Sequence, residues 1–280
     1  MRFLAKTKKG RGKIPGFGLS LGLSLSYMSF LILIPISALI IHAAKIPPAE
    51  YFKIISDERV IAAFKVSFFS AITAALLNFV FGFIIAWVLA RHNFFGKKIV
   101  DACIDLPFAI PTAVAGISLA TVFSQNGFMG KFLSLFNISL EYSRAGIVIA
   151  LVFIGLPFVV RTVQPIIEEL DSGVEEAAAS LGANFFQIFF KVIFPSVLPA
   201  LITGAAMAFA RGLGEYGSVI FISSNMPYES EIVPLLIIKK LMQFDYVGAS
   251  AIGATMLVIA FIMLFITNIL QNYMIKERSS

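Results

Sequence analysis

An arginine and a glutamate stand out because they interrupt an otherwise apolar run. Arg211 and Glu215 are the charged residues of the segment 192–222, and they lie four positions apart. In a helix, this spacing places both side chains on one face. Ionisable groups in apolar surroundings are costly unless they pair or line a wet cavity. Two interpretations therefore stay open: a structural ion pair that holds helices together, or two charges that line a translocation path.

A second pattern is a short run of acids and alanines that ends in a glycine. Residues 175–182 read Glu-Glu-Ala-Ala-Ala-Ser-Leu-Gly. Acids at the start of a helix complement its dipole, alanines favour helix, and Gly182 permits a sharp reversal. Apolar residues then lead into the next apolar segment, namely Phe185, Phe186, Ile188, Phe189 and Phe190. The pattern predicts an exposed helix-turn-helix with small residues on one side, suited to contact with a partner.

Other patterns that could carry chemistry are weak. Cys103 is the single cysteine, and His42 and His92 are far apart, so the spacing indicates neither an internal disulfide nor a metal site. Residues 212–217 spell G-x-G-x-x-G, but no strand precedes them, so dinucleotide binding is not expected. The sequence contains neither a G-x-x-x-x-G-K-[ST] motif nor a recognisable triad or acid pair. We therefore predict no catalytic residue and no cofactor in this chain.

The chain is too apolar for one soluble core. Of its 280 residues, 59% are hydrophobic and only 14% are charged, with 29 phenylalanines. Such a surplus of apolar surface needs lipid as its solvent. The net charge of +6 could indicate nucleic acid, but many basic residues crowd the first thirteen positions: Arg2, Lys6, Lys8, Lys9, Arg11 and Lys13. A basic tail before an apolar helix is typical of a cytoplasmic membrane anchor, so no nucleic-acid partner is predicted.

The elements that position these residues are expected to be membrane-spanning helices. A bilayer core about 30 Å thick needs roughly 20 apolar residues in helical form. We predict an all-α, polytopic membrane protein with about six spans in one domain, 18–272. The predicted spans are 18–44, 66–90, 106–125, 145–160, 192–222 and 247–272, with tails at 1–17 and 273–280 and a large loop at 161–195.

The distribution of basic residues predicts the orientation. Lys and Arg are more frequent in the tails and in the loops near 91–105 and 161–195 than in the other loops, although most of the excess comes from the N-terminal tail. Because basic residues favour the cytoplasmic side, we predict that both termini and the loop 161–195 are cytoplasmic.

Several prolines fall within or at the ends of the predicted spans. Pro107, Pro111 and Pro157 lack an amide hydrogen, so they kink a helix or free a carbonyl group. Kinked helices suit a path that opens and closes. Membrane helices also tolerate proline generally, and both interpretations stay open.

The loop pattern resembles the EAA loop of bacterial ABC importer permeases. That motif is Glu-Ala-Ala, three residues, Gly, nine residues, Ile, any residue, Leu and Pro. The positions that match in register are Glu176, Ala177, Ala178, Gly182 and Pro195, and Val192 and Phe194 replace Ile and Leu conservatively. In that family, the loop docks into a groove on the ATPase subunit. The resemblance implies a type I ABC importer permease whose ATPase-coupling loop includes these residues together with Glu175.

Further segments resemble the oxyanion branch of these permeases, which comprises sulfate/thiosulfate and molybdate permeases. They are residues 105–116, 157–165 and 211–217. The full first span after Pro15-Gly16-Phe17, and the segments 219–222, 244–246 and 249–252, resemble the T-type sulfate/thiosulfate permeases. The resemblance covers nearly the whole chain. It implies sulfate or thiosulfate as the substrate, with a molybdate or tungstate permease as the alternative. A secondary anion transporter is the alternative from another class of transport protein.

The resemblance also implies an assembly in the bacterial cytoplasmic (inner) membrane. Its other members would be a homologous second permease subunit, two ATPase subunits that bind ATP and Mg, and an extracytoplasmic sulfate/thiosulfate-binding protein. This chain would itself be no enzyme and would hold no metal. On the translocation interpretation, Arg211 favours a passing dianion, and Glu215 prevents Arg211 from trapping it.

Overall fold

The computed structural model describes the backbone of residues 17–278 and the side chains of residues 17–171 and 173–269. The basic residues of the predicted N-terminal tail, and the end of the predicted tail 273–280, lie outside the described residues. Within the described backbone, the regular elements are all helices. They are α1 Phe17–Ala44, α2 Pro48–Ile55, α3 Glu58–Arg91, α4 Lys97–Ile104, α5 Leu106–Ala109, α6 Thr112–Phe123, α7 Phe128–Ser134, α8 Arg144–Glu168, α9 Ser172–Ser180, α10 Phe185–Leu213, α11 Val219–Ile222, α12 Val233–Met242 and α13 Tyr246–Arg278. The prediction of an all-α fold is confirmed.

Five of these helices are long and apolar enough to cross a membrane, and they are α1, α3, α8, α10 and α13. The predicted third span, 106–125, is instead divided into α5 and α6. The division occurs at Pro111, whose extended backbone precedes α6. At about 1.5 Å per residue, α6 is about 18 Å long, which is shorter than a bilayer core. The third predicted span is therefore a broken segment.

Two other helices have bounds that differ from the predicted spans. α8 runs from Arg144 to Glu168, well past residue 160, so the loop predicted at 161–195 begins later. α10 starts at Phe185 and ends at Leu213, and residues 214–218 are not helical. The glycines at positions 212, 214 and 217 disfavour helix at this point, and the side chain of Glu215 bonds to the backbone beyond it.

The core of the molecule lies where α3, α8 and α10 meet. Small residues bring these helices close together. A side chain at Gly82 or at Gly204 would collide with Val159 of α8. Close approach at glycine is the usual basis of helix association in lipid, where apolar burial alone gives little driving force. α13 packs against α10, α12 and the C-terminal half of α1.

The prolines singled out in the sequence fall in different settings. Pro107 lies in the first turn of α5, and Pro111 immediately precedes α6. Pro157 lies inside α8, which continues through it as one helix. The break in this region is thus at Pro111, where the chain leaves the helical conformation.

Candidate functional site

The acid-alanine pattern forms a compact element that we call the elbow, residues 171–193. It begins at Asp171, whose carboxylate accepts a hydrogen bond from the Gly173 N–H at 2.8 Å and caps α9. α9 ends at Ser180, and Gly182 then adopts a left-handed conformation with φ of 86°. The Gly182 N–H donates to the Ala179 carbonyl at 2.9 Å, and the next N–H donates to the Ala178 carbonyl at 3.1 Å. These two bonds form a Schellman motif, which reverses the chain as the sequence predicts.

The second half of the elbow is also defined by local hydrogen bonds. Asn184 and Gln187 form a capping box, with distances of 2.9 Å and 2.8 Å between side-chain oxygens and backbone nitrogens. α10 then contains a π-helical turn, Phe189–Ile193. Pro195 follows this turn and cannot donate a hydrogen bond to the Lys191 carbonyl, which accounts for the irregular helix.

The elbow displays a mixed apolar and acidic surface. Glu176 and Ala177 are exposed, and the Leu181 side chain at the reversal is 90% exposed. Val174 and Phe186 are also exposed on the same element. A contiguous apolar patch with a polar rim is typical of a protein contact.

Glu175 differs from its neighbour Glu176 because it forms an ion pair within the chain. Its carboxylate pairs with the guanidinium of Arg91, the last residue of α3. The Arg91 guanidinium also lies over the Trp87 ring, 5.5 Å from the ring centroid. The sequence analysis missed Arg91. Sequence spacing does not connect it to Glu175, which lies 84 residues away in the chain.

Arg211 and Glu215 form an ion pair with a distance of 2.7 Å between Nη1 and Oε2. The expected placement on one face of a continuous helix is wrong, because α10 ends at Leu213 and Glu215 lies beyond it. The Glu215 side chain is 2% exposed, whereas that of Arg211 is 36% exposed. Glu215 Oε1 also accepts hydrogen bonds from the backbone N–H and hydroxyl of Ser218, at 2.9 Å and 3.0 Å. Glu215 therefore holds the non-helical segment in place.

The non-helical segment 214–218 packs directly on α6. A side chain at Gly217 would collide with Thr112, and one at Gly116 would collide with the backbone of Ser218. Backbone without helical hydrogen bonds is tolerated at membrane depth only where protein covers it or where it lines a wet cavity. The arrangement joins the segment that follows α10 to the first half of α6.

A charged cluster that was not predicted from the sequence surrounds Glu231, which lies in the loop between α11 and α12. Glu231 is 1% exposed, and its carboxylate accepts hydrogen bonds from Arg59 at 2.7 Å and 2.8 Å and from Lys239 at 2.7 Å. Burial alone would raise the pKa of Glu231, but the hydrogen bonds and charges of Arg59 and Lys239 outweigh burial and lower the pKa below its ordinary value. The cluster ties the start of α3 to α12.

A fourth charged group joins α4 and α5 to α8. Arg161 donates to both carboxylate oxygens of Asp105, at 2.8 Å and 2.7 Å, and to Asp101 at 2.7 Å. Arg161 is thus held by protein groups in bidentate geometry, and α8 continues past it to Glu168. In the described part of the chain, no three His, Cys, Asp or Glu residues cluster as a metal site requires.

Comparison with known proteins places this geometry in context. Residues 78–278 match the family model described as a binding-protein-dependent transport system inner membrane component. The chain is 47% identical over 262 residues to the sulfate transport system permease protein CysT of Escherichia coli (strain K12), covering 94% of this chain and 95% of that protein. It is 46% identical over 250 residues to CysT of Synechocystis sp., covering 89% of this chain and 87% of that protein.

Solved structures share the fold at low sequence identity. A bacterial alginate ABC transporter in complex with an alginate pentasaccharide-bound periplasmic protein superposes with a TM-score of 0.74 at 18% identity, covering 90% of this chain and 93% of that one. The MetNI methionine ABC transporter in an inward-facing conformation gives a TM-score of 0.58 at 15% identity, covering 77% and 96%. These structures support the type I ABC importer permease architecture.

Proposed function

The chain belongs to the family of binding-protein-dependent transport system inner membrane components, and from this membership we propose that it is a sulfate-translocating permease subunit of an ABC importer. The observation that carries the proposal is its near full-length similarity to sulfate permeases. Those relatives are transport subunits, and this chain is likewise a transport subunit and not an enzyme.

The elbow is the proposed contact with the ATPase. Its exposed residues Glu176, Ala177 and Leu181 project from a short helix whose reversal is fixed by Gly182. A rigid, small-residue helix end can enter a groove on a partner without losing much conformational entropy. ATP and Mg would bind to two partner ATPase subunits, and their closure would move the elbow.

The membrane setting follows from the family and from the helices. With five helices of spanning length, the chain is a multi-pass inner membrane protein. We propose that both termini and the elbow are cytoplasmic. α1 is almost wholly exposed along its apolar surface, and we propose that lipid and a homologous second permease subunit cover it. An extracytoplasmic sulfate/thiosulfate-binding protein would deliver the anion to the opposite side.

Arg211 is the proposed attractive group on the anion path. One of its nitrogens is paired with Glu215, and the Arg211 guanidinium has no other hydrogen-bond partner in the described part of the chain. Its side chain is partly exposed, so further N–H donors can meet a passing oxyanion. Glu215 cancels most of the positive charge, so the attraction stays weak enough for release.

Reconstitution tests the proposal. The permease, its second subunit and the ATPase would be placed in proteoliposomes with the binding protein and labelled sulfate. We expect uptake of labelled sulfate to require ATP and to be inhibited by vanadate. Unlabelled sulfate and thiosulfate should compete with it more strongly than molybdate or tungstate does. Stronger competition by molybdate would reassign the substrate. Uptake that is driven by an ion gradient and resists vanadate would reject the ABC mechanism in favour of a secondary transporter.

A further inference from the structure

The elbow contacts α3 through two kinds of interaction. The first is aromatic, because Phe189 of the π-helical turn lies with its ring centroid 6.0 Å from that of Phe83 and 5.9 Å from that of Trp87, in edge-to-face geometry. The second is the ion pair between Glu175 of α9 and Arg91 of α3. Both involve the same end of α3, so movement of the elbow acts on that end of α3 as well as on α10, with which the elbow is continuous.

The aromatic contact is poorly suited to directing movement. It borders an open apolar cleft of about 240 Å³, whose lining includes Phe83, Trp87, Phe185 and Phe190. Apolar contacts have little directionality, so rings at the edge of a cleft can slide and repack at low cost. The π-helical turn adds an irregular step to α10 at the same place.

The ion pair is directional. It is the only ion pair between the elbow and the spanning helices among the side chains that the structure describes. Both partners are half-buried, and the Trp87 ring lies against the guanidinium. The buried Nε of Arg91 has no hydrogen-bond partner in the described part of the chain, so Glu175 is its main compensation. A charge-assisted hydrogen bond in partly buried surroundings fixes both the distance and the direction of approach.

Arg91 is also placed to pass on a displacement. It is the last residue of α3, a helix of 34 residues that packs along α8 and α10 and whose first turn holds Arg59 of the Glu231 cluster. A continuous helix of this length behaves as a stiff rod about 50 Å long. A displacement of Glu175 therefore acts on one end of a stiff helix that passes through the core.

From this geometry we propose that Arg91 is a positioning residue that ties the ATPase-coupling elbow to α3 and so converts elbow movement into movement of the spanning helices. The proposal rests on the proposed ABC importer function. Glu175 and Glu176 then have different tasks, since Glu175 faces inward to Arg91 and Glu176 faces outward to the ATPase.

The test measures sulfate imported per ATP hydrolysed by the full complex in proteoliposomes. For Arg91→Ala and for Glu175→Gln, we expect ATP hydrolysis to continue while the ratio falls about tenfold, within the usual range for coupling between sites. The exchanged variant Arg91→Glu/Glu175→Arg should recover much of the lost ratio. Lys98→Ala, which removes an exposed basic side chain in the nearby helix α4, is the matched control and should leave the ratio unchanged.

Three results would overturn the inference. They are unchanged uptake and hydrolysis in both single variants, a parallel fall of uptake and hydrolysis at a constant ratio, and no recovery of the ratio in the exchanged variant. The second result is what a purely structural role predicts. If Arg91→Ala does not assemble, Glu175→Gln and the exchanged variant decide the matter. Failure of the proposed function would look different, because the unmodified complex would then import no sulfate with ATP.

Discussion

Glu215 lies beyond the end of the helix that carries Arg211, yet its carboxylate oxygen is 2.7 Å from the guanidinium nitrogen. The pair therefore spans the point where regular helix gives way to the segment 214–218. Because Glu215 also accepts two hydrogen bonds from Ser218, one carboxylate sets both the charge and the backbone shape at this point.

The first prediction concerns Arg211→Ala. We expect the variant to abolish sulfate uptake while the complex still assembles, because the anion loses its attractive group. The change leaves Glu215 without its cation, and breaking a buried pair costs about 3 kcal/mol where one partner is partly exposed. Uptake in proteoliposomes and size-exclusion chromatography of the purified complex measure the two effects separately.

The double variant Arg211→Ala/Glu215→Gln distinguishes a role of Arg211 on the anion path from a role in a purely structural ion pair. It removes the uncompensated charge and keeps a polar side chain opposite Ser218. A structural ion pair predicts that the double variant regains uptake with its stability. Our proposal predicts a stable complex that still does not transport sulfate.

The second prediction concerns Gly182→Ala. A Cβ atom at Gly182 would meet nothing within 4 Å, so the cost arises from the left-handed backbone alone. That cost is about 1–2 kcal/mol for an L-residue. We expect faster hydrogen exchange across α9 and weaker retention of the ATPase during purification.

Gly182→Asn is the control for this substitution, because asparagine tolerates the left-handed conformation better than alanine. It should retain most of the ATPase. Equal losses in both variants would contradict the assignment of the effect to backbone conformation.

Much of the fold could be predicted from the sequence because apolar length and proline position are local signals. The spans around α1, α3 and α13 follow from apolar runs of sufficient length. The predicted span 145–160 is short, and α8 reaches spanning length because it continues to Glu168. The division at Pro111 was the main departure. An apolar run is also compatible with two short helices, and the sequence analysis treated Pro111 as a kink within one span.

The candidate site likewise has features that the sequence predicts and features that it does not. The helix, reversal and capping of the elbow depend on neighbouring residues, so Gly182 could be recognised from its context. Glu175, the partner of Arg91, lies 84 residues away in the chain, and Arg59, one of the two partners of Glu231, lies 172 residues away. Sequence spacing carries no information on such pairs, and only the packing of α3 against the rest of the molecule brings them together.

The third prediction uses the depressed pKa of Glu231. A carboxyl group whose pKa is lower in the folded state than in the unfolded state stabilises the protein at pH values above its ordinary, unfolded pKa. This contribution is lost as the pH falls through the folded pKa. We expect Glu231→Gln to lower the thermal unfolding midpoint in detergent at pH 7. The difference from the unmodified protein should shrink as the pH falls below about 4.5.

Glu50→Gln is the control for Glu231→Gln. Glu50 is exposed on α2 and has no ion pair among the described residues, so its substitution should change the midpoint little at any pH. A gap between Glu231→Gln and the unmodified protein that stays constant from pH 7 to about pH 3 would contradict the link to ionisation.

The fourth prediction concerns Asn78, which lies on α3 in the core and is 0% exposed. Neither its amide nitrogen nor its oxygen has a protein hydrogen-bond partner in the described part of the chain. It faces Gly155 of α8, where any side chain would collide with the amide, and Ala208 of α10 lies alongside. An unsatisfied buried amide costs about 1–3 kcal/mol.

An apolar residue of similar size should therefore stabilise this contact. We expect Asn78→Leu to raise the thermal unfolding midpoint in detergent, because replacing an unpaired buried polar group removes its desolvation cost without opening a cavity. Asn78→Ala should gain less, since the lost volume leaves a void among three helices. Gly155→Ala should lower the midpoint in the unmodified background, because its new methyl group meets the Asn78 amide. A midpoint below that of the unmodified protein for both Asn78→Leu and Asn78→Ala would contradict this account and would show that the amide stabilises the folded protein.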